Sequence, residues 1–404
     1  MRGQSAVGMN GNFWDSCQSW DELVGRCREA AFDVAFPTVR AWKSAAADTG
    51  GRVVGCFPVY TPQEIFAAAN CLPVNLFGGR GQIEIDHADS RIQSFVCSIA
   101  RSTLELGLTK HLDAFDGFIV PSICDVARNL SGVWRHNFEH SFTFYLHLPQ
   151  NVESEAAAEY FRGELERLRT EVAQLTGAPI TDTALREAIR TYNRNRALLD
   201  ELGARRAARP EQWPSSQIYS LAAAGNVLPR EEHNALLERA LALGDAQQRP
   251  KRDAVRVALR GAFCEQPPLE LLDVLEDAGC AVVDDDLQIG ARFFQQPVAE
   301  EGDPLAALAE SYLHRTVLTP VNNPGKRSRN EDLLRRCREK SVQGLIFASP
   351  KFCEPALYDS VLLRRAAEHV NLPVLEFEYE EKMSVFESVR MQAETFVESI
   401  LFFS

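Results

Sequence analysis

The chain has 404 residues, 45% of them hydrophobic and 25% charged, which is typical of a globular protein with two or three domains. The net charge of −13 argues against a nucleic-acid-binding protein, because such proteins present a basic surface. No apolar run is long enough to predict a membrane span, and the N-terminus lacks a signal-peptide core, so we expect a cytoplasmic protein without a membrane partner.

The N-terminal third of the chain alternates predicted strands and helices. Strands are predicted at RVVGCFPVY, LPVNLFG, DGFIVPS and FTFYLHL. Thr61 and Pro62 begin a predicted helix, as the N-cap and the first helical residue. Strands separated by helices indicate a parallel sheet, so residues 1–150 are predicted to form an N-terminal α/β lobe.

The segment 151–250 has a different pattern. Two long amphipathic helices are predicted at SEAAAEYFRGELERLRTEVAQLTG and DTALREAIRTYNRNRALLDELG, the second with Asp182 as its N-cap. Further helical segments follow, and no strand pattern interrupts them. We therefore predict a helical middle domain.

The segment 251–404 returns to the first pattern. Strands are predicted at AVRVALRG, CAVVDDD, QGLIFAS and LPVLEFEYE, with helices between them and a closing amphipathic helix at SVFESVRMQAETFVESILFF. This segment is predicted to form a C-terminal α/β lobe. The two ends of the chain therefore follow one α/β plan.

Two cysteines share one sequence context. In DGFIVPSICDVARNL, Cys124 precedes Asp125, and in QGLIFASPKFCEPALYD, Cys353 precedes Glu354. Each follows a buried strand and begins a helix, where the helix dipole favours the metal-binding thiolate. Two such thiols can face each other across one cleft and hold an iron–sulfur cluster. The alternative is that both are small buried hydrophobic residues.

The other cysteines are more ambiguous. Cys71 lies before Pro73 at a predicted loop, where it is either a ligand or a packing residue. Cys56 and Cys264 lie just past apolar strands and are either ligands of a larger cluster or residues that support the site. The remaining five are predicted to be structural, since four lie in predicted helices and one begins a strand: Cys17, Cys27, Cys97, Cys337 and Cys280.

The helix after Cys124 carries a candidate proton donor. His136 and His140 lie four residues apart in VWRHNFEH, without the glutamate of a zinc protease motif between them. His136 is either a proton donor near the cleft or a surface histidine. The chain also lacks a phosphate-binding P-loop motif, so it is not expected to hydrolyse ATP itself.

The chain resembles a known family from about residue 51 to its end. FCEPALYD followed by LPVLEFEYE, SICD after an apolar strand, TPQEIFAAANCLPV and LEDAGCAVVDDDLQIGARFF are similar to the benzoyl-CoA reductase/2-hydroxyacyl-CoA dehydratase family. LHRTVLTPVNNPGKRSRNEDLL together with FCEP most resembles its cluster-bearing reductase subunits. These motifs are specific in combination, although each is weak alone.

The resemblance implies a fold, a cofactor and partners. The fold is α/β, with two Rossmann-like parallel-sheet lobes flanking a helical middle domain. The cofactor is a [4Fe-4S] cluster in the cleft, held here by Cys71, Cys124 and Cys353, with one iron open. Cys264 and Cys56 leave open a larger double-cubane [8Fe-9S] cluster. The partners are a homologous sister subunit, an iron–sulfur ATPase activator and an acyl-CoA substrate.

The resemblance also implies a reaction. The expected activity is ATP-dependent, low-potential electron transfer that reduces an aromatic acyl-CoA thioester to a cyclic diene, as in anaerobic degradation of aromatic compounds. Two alternatives remain open. One is a radical 2-hydroxyacyl-CoA dehydratase subunit, and the other is an electron-relay or structural subunit whose sister chain binds the substrate.

Overall fold

The computed structural model describes residues 12–262, 264–287, 296–315, 318–321, 323 and 328–403. Within these residues the chain forms two four-stranded parallel sheets. The first contains β1 (Arg52–Cys56), β2 (Cys71–Asn75), β3 (Gly117–Pro121) and β4 (Phe142–Leu146). The second contains β5 (Val255–Gly261), β6 (Cys280–Asp285), β7 (Gly344–Pro350) and β8 (Val374–Tyr379). The predicted α/β fold with two parallel-sheet lobes is confirmed.

The two sheets have the same strand order. The first runs β2-β1-β3-β4 and the second β6-β5-β7-β8. In each sheet the chain adds its second strand on one side of the first and its third strand on the other side. This reversal creates a crevice outside the carboxyl ends of β1 and β3, and another outside those of β5 and β7, where ligands of such sheets bind.

Helices flank the strands of both sheets, and the part of the chain between β4 and β5 is helical. The N-terminal lobe contributes α1 (Asn12–Asp15), α2 (Trp20–Phe32), α3 (Pro37–Ala45), α4 (Gln63–Ala67), α5 (Ser98–Leu108) and α6 (Asp125–Asn137). The middle segment contributes α7 (Ala157–Thr176), α8 (Asp182–Ala208), α9 (Ser215–Ala224) and α10 (Arg230–Ala246). The C-terminal lobe contributes α11 (Leu269–Asp277), α12 (Pro304–Arg315), α13 (Arg329–Glu339), α14 (Glu354–Glu368) and α15 (Glu387–Phe403). In the described part of the chain, no helix combines the length and the apolar character that crossing a bilayer requires.

Two predicted helix starts differ by one residue. Thr181, not Asp182, is the N-cap of α8, and its hydroxyl accepts a hydrogen bond from Ala184 N at 3.1 Å. Pro62 is the N-cap of α4 and was expected one position further into the helix. Sequence patterns place helix ends only to within a residue or two, because several neighbouring residues satisfy the same backbone groups.

The middle helices are packed by helices from both ends of the chain. α2 packs on α9 and α1 on α10, while α12, from the C-terminal segment, packs on α7. Trp20 and Trp213 meet edge to face at 5.3 Å in this interface. The segment limits at residues 150 and 250, which fall between β4 and α7 and between α10 and β5, stay predictions.

A buried ion network joins the middle helices to the C-terminal sheet. Asp284, on β6, accepts hydrogen bonds from Arg260, Arg336 and Lys340. Its neighbour Asp285 pairs with Arg206 of α8. Asp284, Asp285, Arg206 and Arg260 are all buried, so each charge depends on its partners to offset the cost of leaving water. The network fixes α8 and α13 against the edge of the second sheet.

Candidate functional site

One cavity of about 670 Å³ lies between the two lobes and is lined by cysteines from both. Cys97 and Cys124 come from the N-terminal lobe, and Cys264 and Cys353 from the C-terminal lobe. Cys97, Cys264 and Cys353 are buried, and Cys124 is half-buried. The crevices at the carboxyl ends of the two parallel sheets thus open into one shared cavity.

Three of these four cysteines lie at helix N-termini. Cys97, Cys124 and Cys353 are the N-cap residues of α5, α6 and α14. The Cys124 sulfur accepts a hydrogen bond from Ala127 N at 3.4 Å. The positive end of a helix dipole and its free N–H groups stabilise a thiolate, the form in which cysteine binds metals. The local folding of three separate segments therefore directs three thiols into one cavity.

The four thiols interact with one another. Burial raises the pKa of Cys97, and nearby Glu265, Cys353 and Cys124 raise it further. Burial also raises the pKa of Cys124 to about 11, which the Ala127 N–H partly offsets. A cation bound among such groups relieves this repulsion and removes their protons, since a coordinating thiol is deprotonated outright.

The fourth thiol, Cys264, is hydrogen-bonded to Cys353, and this bond is the largest influence on its raised pKa, followed by burial. Among the described residues, no group of three or more His, Cys, Asp or Glu side chains is arranged to hold a single metal ion. A polynuclear iron–sulfur cluster places its thiolate ligands farther apart than one ion does. The carboxylates Asp125, Glu354 and Asp359 also line the cavity, but four soft thiols fit such a cluster better than a hard cation such as Mg²⁺.

Exposed apolar side chains surround the cavity mouth. Phe95 is 68% exposed and Tyr358 is 74% exposed, and Phe352 and Leu362 are also exposed. All four line the cavity. The backbone of Phe352 has a φ of +63°, a left-handed conformation that costs a bulky residue about 1–3 kcal/mol. Such a rim leaves apolar surface in contact with water around the thiols, which is typical of an interaction site.

Polar residues occupy one wall of the cavity. Arg329 and Asp359 form an ion pair at 2.8 Å, and Arg128 and Tyr145 lie near Cys124. Burial raises the pKa of the Tyr145 phenol, which keeps it protonated and able to donate a hydrogen bond. The cavity therefore combines thiols, an apolar rim and a few polar groups, as ligand-binding pockets commonly do.

The structure does not bring Cys71 or Cys56 to this cavity. Cys71 begins β2 and pairs in register with Arg52, the first residue of β1, so it lies at the amino end of the sheet. Cys124 follows the carboxyl end of β3, across the full length of the strands. Cys56 ends β1 but is fully buried, and its thiol donates a hydrogen bond to the Val54 carbonyl oxygen at 3.6 Å. Of the five cysteines predicted as ligands, Cys124, Cys264 and Cys353 line the cavity.

His136 also lies away from the cavity. It is exposed in the last turn of α6, whereas Cys124 precedes the first turn of that helix. The length of the helix, roughly 1.5 Å per residue, separates the two side chains. The structure thus does not place the predicted proton donor beside the thiols.

The sequence patterns did not place Cys97 at this cavity. It was predicted to lie within a helix, but it is the residue before α5 and lines the cavity. The cue was available in Cys97-Ser98-Ile99, a polar pair before an apolar helical run, which is a helix-start pattern. The other four cysteines predicted to be structural are buried away from the cavity: Cys17, Cys27, Cys280 and Cys337.

Fold and site together define a class of protein: a two-lobed α/β protein whose two sheet crevices meet in one thiol-lined cavity. The model of the family described as 2-hydroxyglutaryl-CoA dehydratase, D-component, matches residues 58–400. The chain belongs to this family. The resemblance stated from the motifs is therefore confirmed, although motif residues 288–294, 316, 317, 322 and 324–327 lie outside the described residues.

Three relatives align over almost the whole chain. The C subunit of benzoyl-CoA reductase from Thauera aromatica is 40% identical over 95% of this chain and 99% of its own length. The beta subunit of lactoyl-CoA dehydratase from Anaerotignum propionicum is 28% identical over 91% of this chain and 97% of its own. The beta subunit of (R)-2-hydroxyglutaryl-CoA dehydratase from Acidaminococcus fermentans is 26% identical over 87% and 93%. Each is a subunit of a CoA-thioester enzyme, so the chain is a subunit of an enzyme of this family.

Proposed function

We propose that this chain is an iron–sulfur subunit of an ATP-dependent benzoyl-CoA reductase, which reduces an aromatic acyl-CoA thioester to a cyclic diene. One observation carries the proposal: cysteines of both lobes, three of them at helix N-termini, line a single cavity. The 40% identity to the C subunit of benzoyl-CoA reductase supports the reductase over other members of the family.

The proposed cluster ligands are Cys97, Cys124 and Cys353. Cys124 and Cys353 were predicted from the sequence, and Cys97 takes the place of Cys71 because it lines the cavity at an equivalent helix N-terminus. These three would hold a [4Fe-4S] cluster and leave one iron without a protein ligand. When bound, such a cluster supplies electrons at potentials that reach about −700 mV. Cys264, hydrogen-bonded to Cys353, keeps the larger double-cubane cluster as the second candidate.

The remaining residues of the cavity have supporting roles in this proposal. The apolar rim around Phe95, Phe352 and Tyr358 excludes water once a partner covers it, which strengthens every electrostatic interaction inside. The protonated Tyr145 phenol and the Arg128 guanidinium, both in the cavity wall, offer hydrogen bonds to a polar group held there.

The proposal includes partners. The relatives are named as C or beta subunits, so a homologous sister subunit is expected beside this chain. An ATP-hydrolysing iron–sulfur activator is proposed because ordinary cellular donors are too weakly reducing for an aromatic ring. The substrate is an acyl-CoA thioester, in keeping with the names of these relatives.

The dehydratase alternative rests on the other relatives. Two dehydratase beta subunits align with 28% and 26% identity along nearly the same length, so the scaffold itself does not separate the reactions. Dehydration of a 2-hydroxyacyl-CoA involves no net reduction, whereas reduction of the ring consumes electrons and protons from outside the substrate. In a further alternative, this chain only relays electrons or supports a sister chain that binds the substrate.

Anaerobic co-purification of the chain with the products of its neighbouring genes tests the proposal. The purified assembly should contain iron and sulfide and show a low-potential cluster signal by electron paramagnetic resonance. With benzoyl-CoA it should form a cyclic diene. Formation of an enoyl thioester from a 2-hydroxyacyl-CoA, without turnover of benzoyl-CoA, would establish the dehydratase instead. A substrate-induced spectral change confined to the sister subunit would establish the relay role.

A further inference from the structure

A carboxyl group of the C-terminal lobe, that of Glu381, makes hydrogen bonds to the N-terminal lobe. Glu381 follows β8, yet its two oxygens contact residues of the other lobe. Ser102 Oγ donates a hydrogen bond to Oε2 at 2.7 Å, and Gly81 N donates one to Oε1 at 3.3 Å. These two hydrogen bonds join the lobes directly, and burial raises the pKa of Glu381 above its ordinary value.

The loop that receives Glu381 consists of residues 78–81, called here the glycine loop. Gly78 and Gly81 have φ values of +73° and +72°, and Arg80 between them has +52°. A β-carbon on Gly78 would lie 2.2 Å from Ser102 Oγ and 3.1 Å from Glu381 Oε1. Any side chain at Gly78 would therefore displace the carboxylate. The sequence Gly-Gly-Arg-Gly fits this contact because glycine alone combines positive φ with the missing β-carbon.

The glycine loop is itself fixed to the N-terminal lobe. The Arg80 guanidinium lies over the Phe32 ring at 4.5 Å and the Phe77 ring at 5.3 Å from their centroids. It also donates to the Ala31 carbonyl at the end of α2. Glu381 lies close enough to Arg80 to stabilise its charge, which burial would otherwise disfavour. These contacts of Arg80 hold the glycine loop in the conformation that binds the Glu381 carboxyl group.

A second carboxyl of the C-terminal lobe contacts the same helix. Glu265, the neighbour of Cys264, accepts a hydrogen bond from Ser98 Oγ at 2.7 Å. Ser98 and Ser102 lie one turn apart on α5, and Cys97 is the N-cap of that helix. The first two turns of α5 are therefore held from the C-terminal lobe by Glu265 and Glu381.

We infer that Glu381 is a positioning residue that, through Ser102 and the glycine loop, holds helix α5 so that Cys97 stays beside Cys264 and Cys353. The helix that Cys97 begins makes these contacts to the C-terminal lobe through its first two turns. In its link to the cluster the inference rests on the proposed function, but the contact itself does not.

Hydrogen exchange of the full-length chain tests the contact. Glu381→Ala and Ser102→Ala should each make local opening roughly ten times more frequent in residues 78–84 and 97–104, because the hydrogen bond between Ser102 and Glu381 is lost. The matched control is Glu380→Ala, which removes the adjacent carboxylate, paired with Lys351 at the surface. Exchange in β1 and β3 should not change in any variant. Wild-type exchange of α5 and the glycine loop in both variants would overturn the inference.

Iron retention tests the consequence for the site. Glu381→Ala and Ser102→Ala should release iron to a chelator several-fold faster than wild type and Glu380→Ala, and their paramagnetic resonance lines should change shape. If Glu381→Ala fails to fold, Ser102→Ala carries the comparison alone. Faster exchange with unchanged iron release and spectrum would refute the positioning role and leave the proposed function intact. An iron-free wild-type chain would refute the proposed function while the exchange result stands.

Discussion

Cys124 and Cys353 occupy equivalent positions in the two lobes: each lies three residues after the proline that ends a strand, and each is the N-cap of the next helix. The strands are β3, which ends at Pro121, and β7, which ends at Pro350. Each is the third strand of its lobe and borders the crevice where the strand order reverses. Because the lobes repeat one plan and their crevices meet, a single cavity receives a thiol from each.

Iron content should distinguish the two candidate clusters. Anaerobically purified protein should be brown and contain about four irons per chain, as one [4Fe-4S] cluster requires. Elemental analysis and sulfide assay measure the count. About eight irons per chain would favour the larger cluster and give Cys264 a ligand role. A colourless, iron-free protein that remains fully active in its assembly would falsify the proposal.

Serine substitutions should separate the ligands from the other cysteines. Cys97→Ser, Cys124→Ser and Cys353→Ser should each lose the cluster, because a hard hydroxyl oxygen that stays protonated replaces a soft thiolate. Cys71→Ser and Cys337→Ser should keep wild-type iron, since neither thiol lines the cavity. Iron loss in Cys71→Ser with retention in Cys97→Ser would restore the ligand set implied by the family resemblance and contradict the set proposed from the structure.

Turnover should require the full assembly. The isolated chain, the pair with its sister subunit, and the pair with the activator are each assayed with benzoyl-CoA and a reductant, with and without ATP. Only the complete mixture with ATP is expected to form product, because coupling to ATP hydrolysis supplies the driving force that cellular reductants lack. Product formation by the isolated chain without ATP would exclude this division of labour.

Removing the centre of the buried ion network should destabilise the C-terminal lobe strongly. Asp284→Ala leaves the buried Arg260 and the side chain of Arg336 without their carboxylate, which should cost about 3–5 kcal/mol in the free energy of unfolding. Urea denaturation measures the change. The control is Asp332→Ala, which removes the half-buried partner of the exposed Arg335 and should cost about 0–1 kcal/mol. Equal losses in the two variants would refute this account of the network.

The free energy of unfolding should decrease in mild acid because His233 has a lowered pKa in the folded chain. Burial, and then the nearby charge of Arg230, lower the pKa of His233 from 6.5 to about 3. Between these values the unfolded chain binds a proton that the folded imidazole does not, so this residue makes the free energy of unfolding decrease as the pH falls. The slope should reach about 1.4 kcal/mol per pH unit. Denaturation of wild type and His233→Gln at several pH values checks it, and an unchanged slope in the variant would contradict the assignment.

The strands were predictable from the sequence because each is a short apolar run next to a helical pattern. β3 and β7 are buried along their whole length, which is why their residues read as continuous hydrophobic segments. The same burial made the position of Cys124 and Cys353 at the cavity predictable, since each lies three residues after such a run. Contacts between distant segments, such as α12 on α7, leave no local pattern and were not predictable.

For Cys71 and Cys97, the local sequence patterns predicted surroundings that differ from those in the structure. Pro73 suggested a loop at Cys71, but both residues belong to β2. This strand lies at the edge of its sheet, where a proline without a backbone N–H is tolerated. No strand ends directly before Cys97, because a long segment separates it from the end of β2 at Asn75. A position at the end of a strand could therefore not be used to select it. Its position depends on contacts with the other lobe, which sequence spacing does not encode.

The wide separation of the cavity cysteines along the chain has a consequence for biosynthesis. Cys97 is synthesised well before Cys353, whose sheet is completed only by β8. A domain folds as a unit only once its residues have been synthesised. The complete thiol set therefore becomes available only after β8 has been synthesised, and a metal cofactor held by all of these thiols can be completed only from that point on.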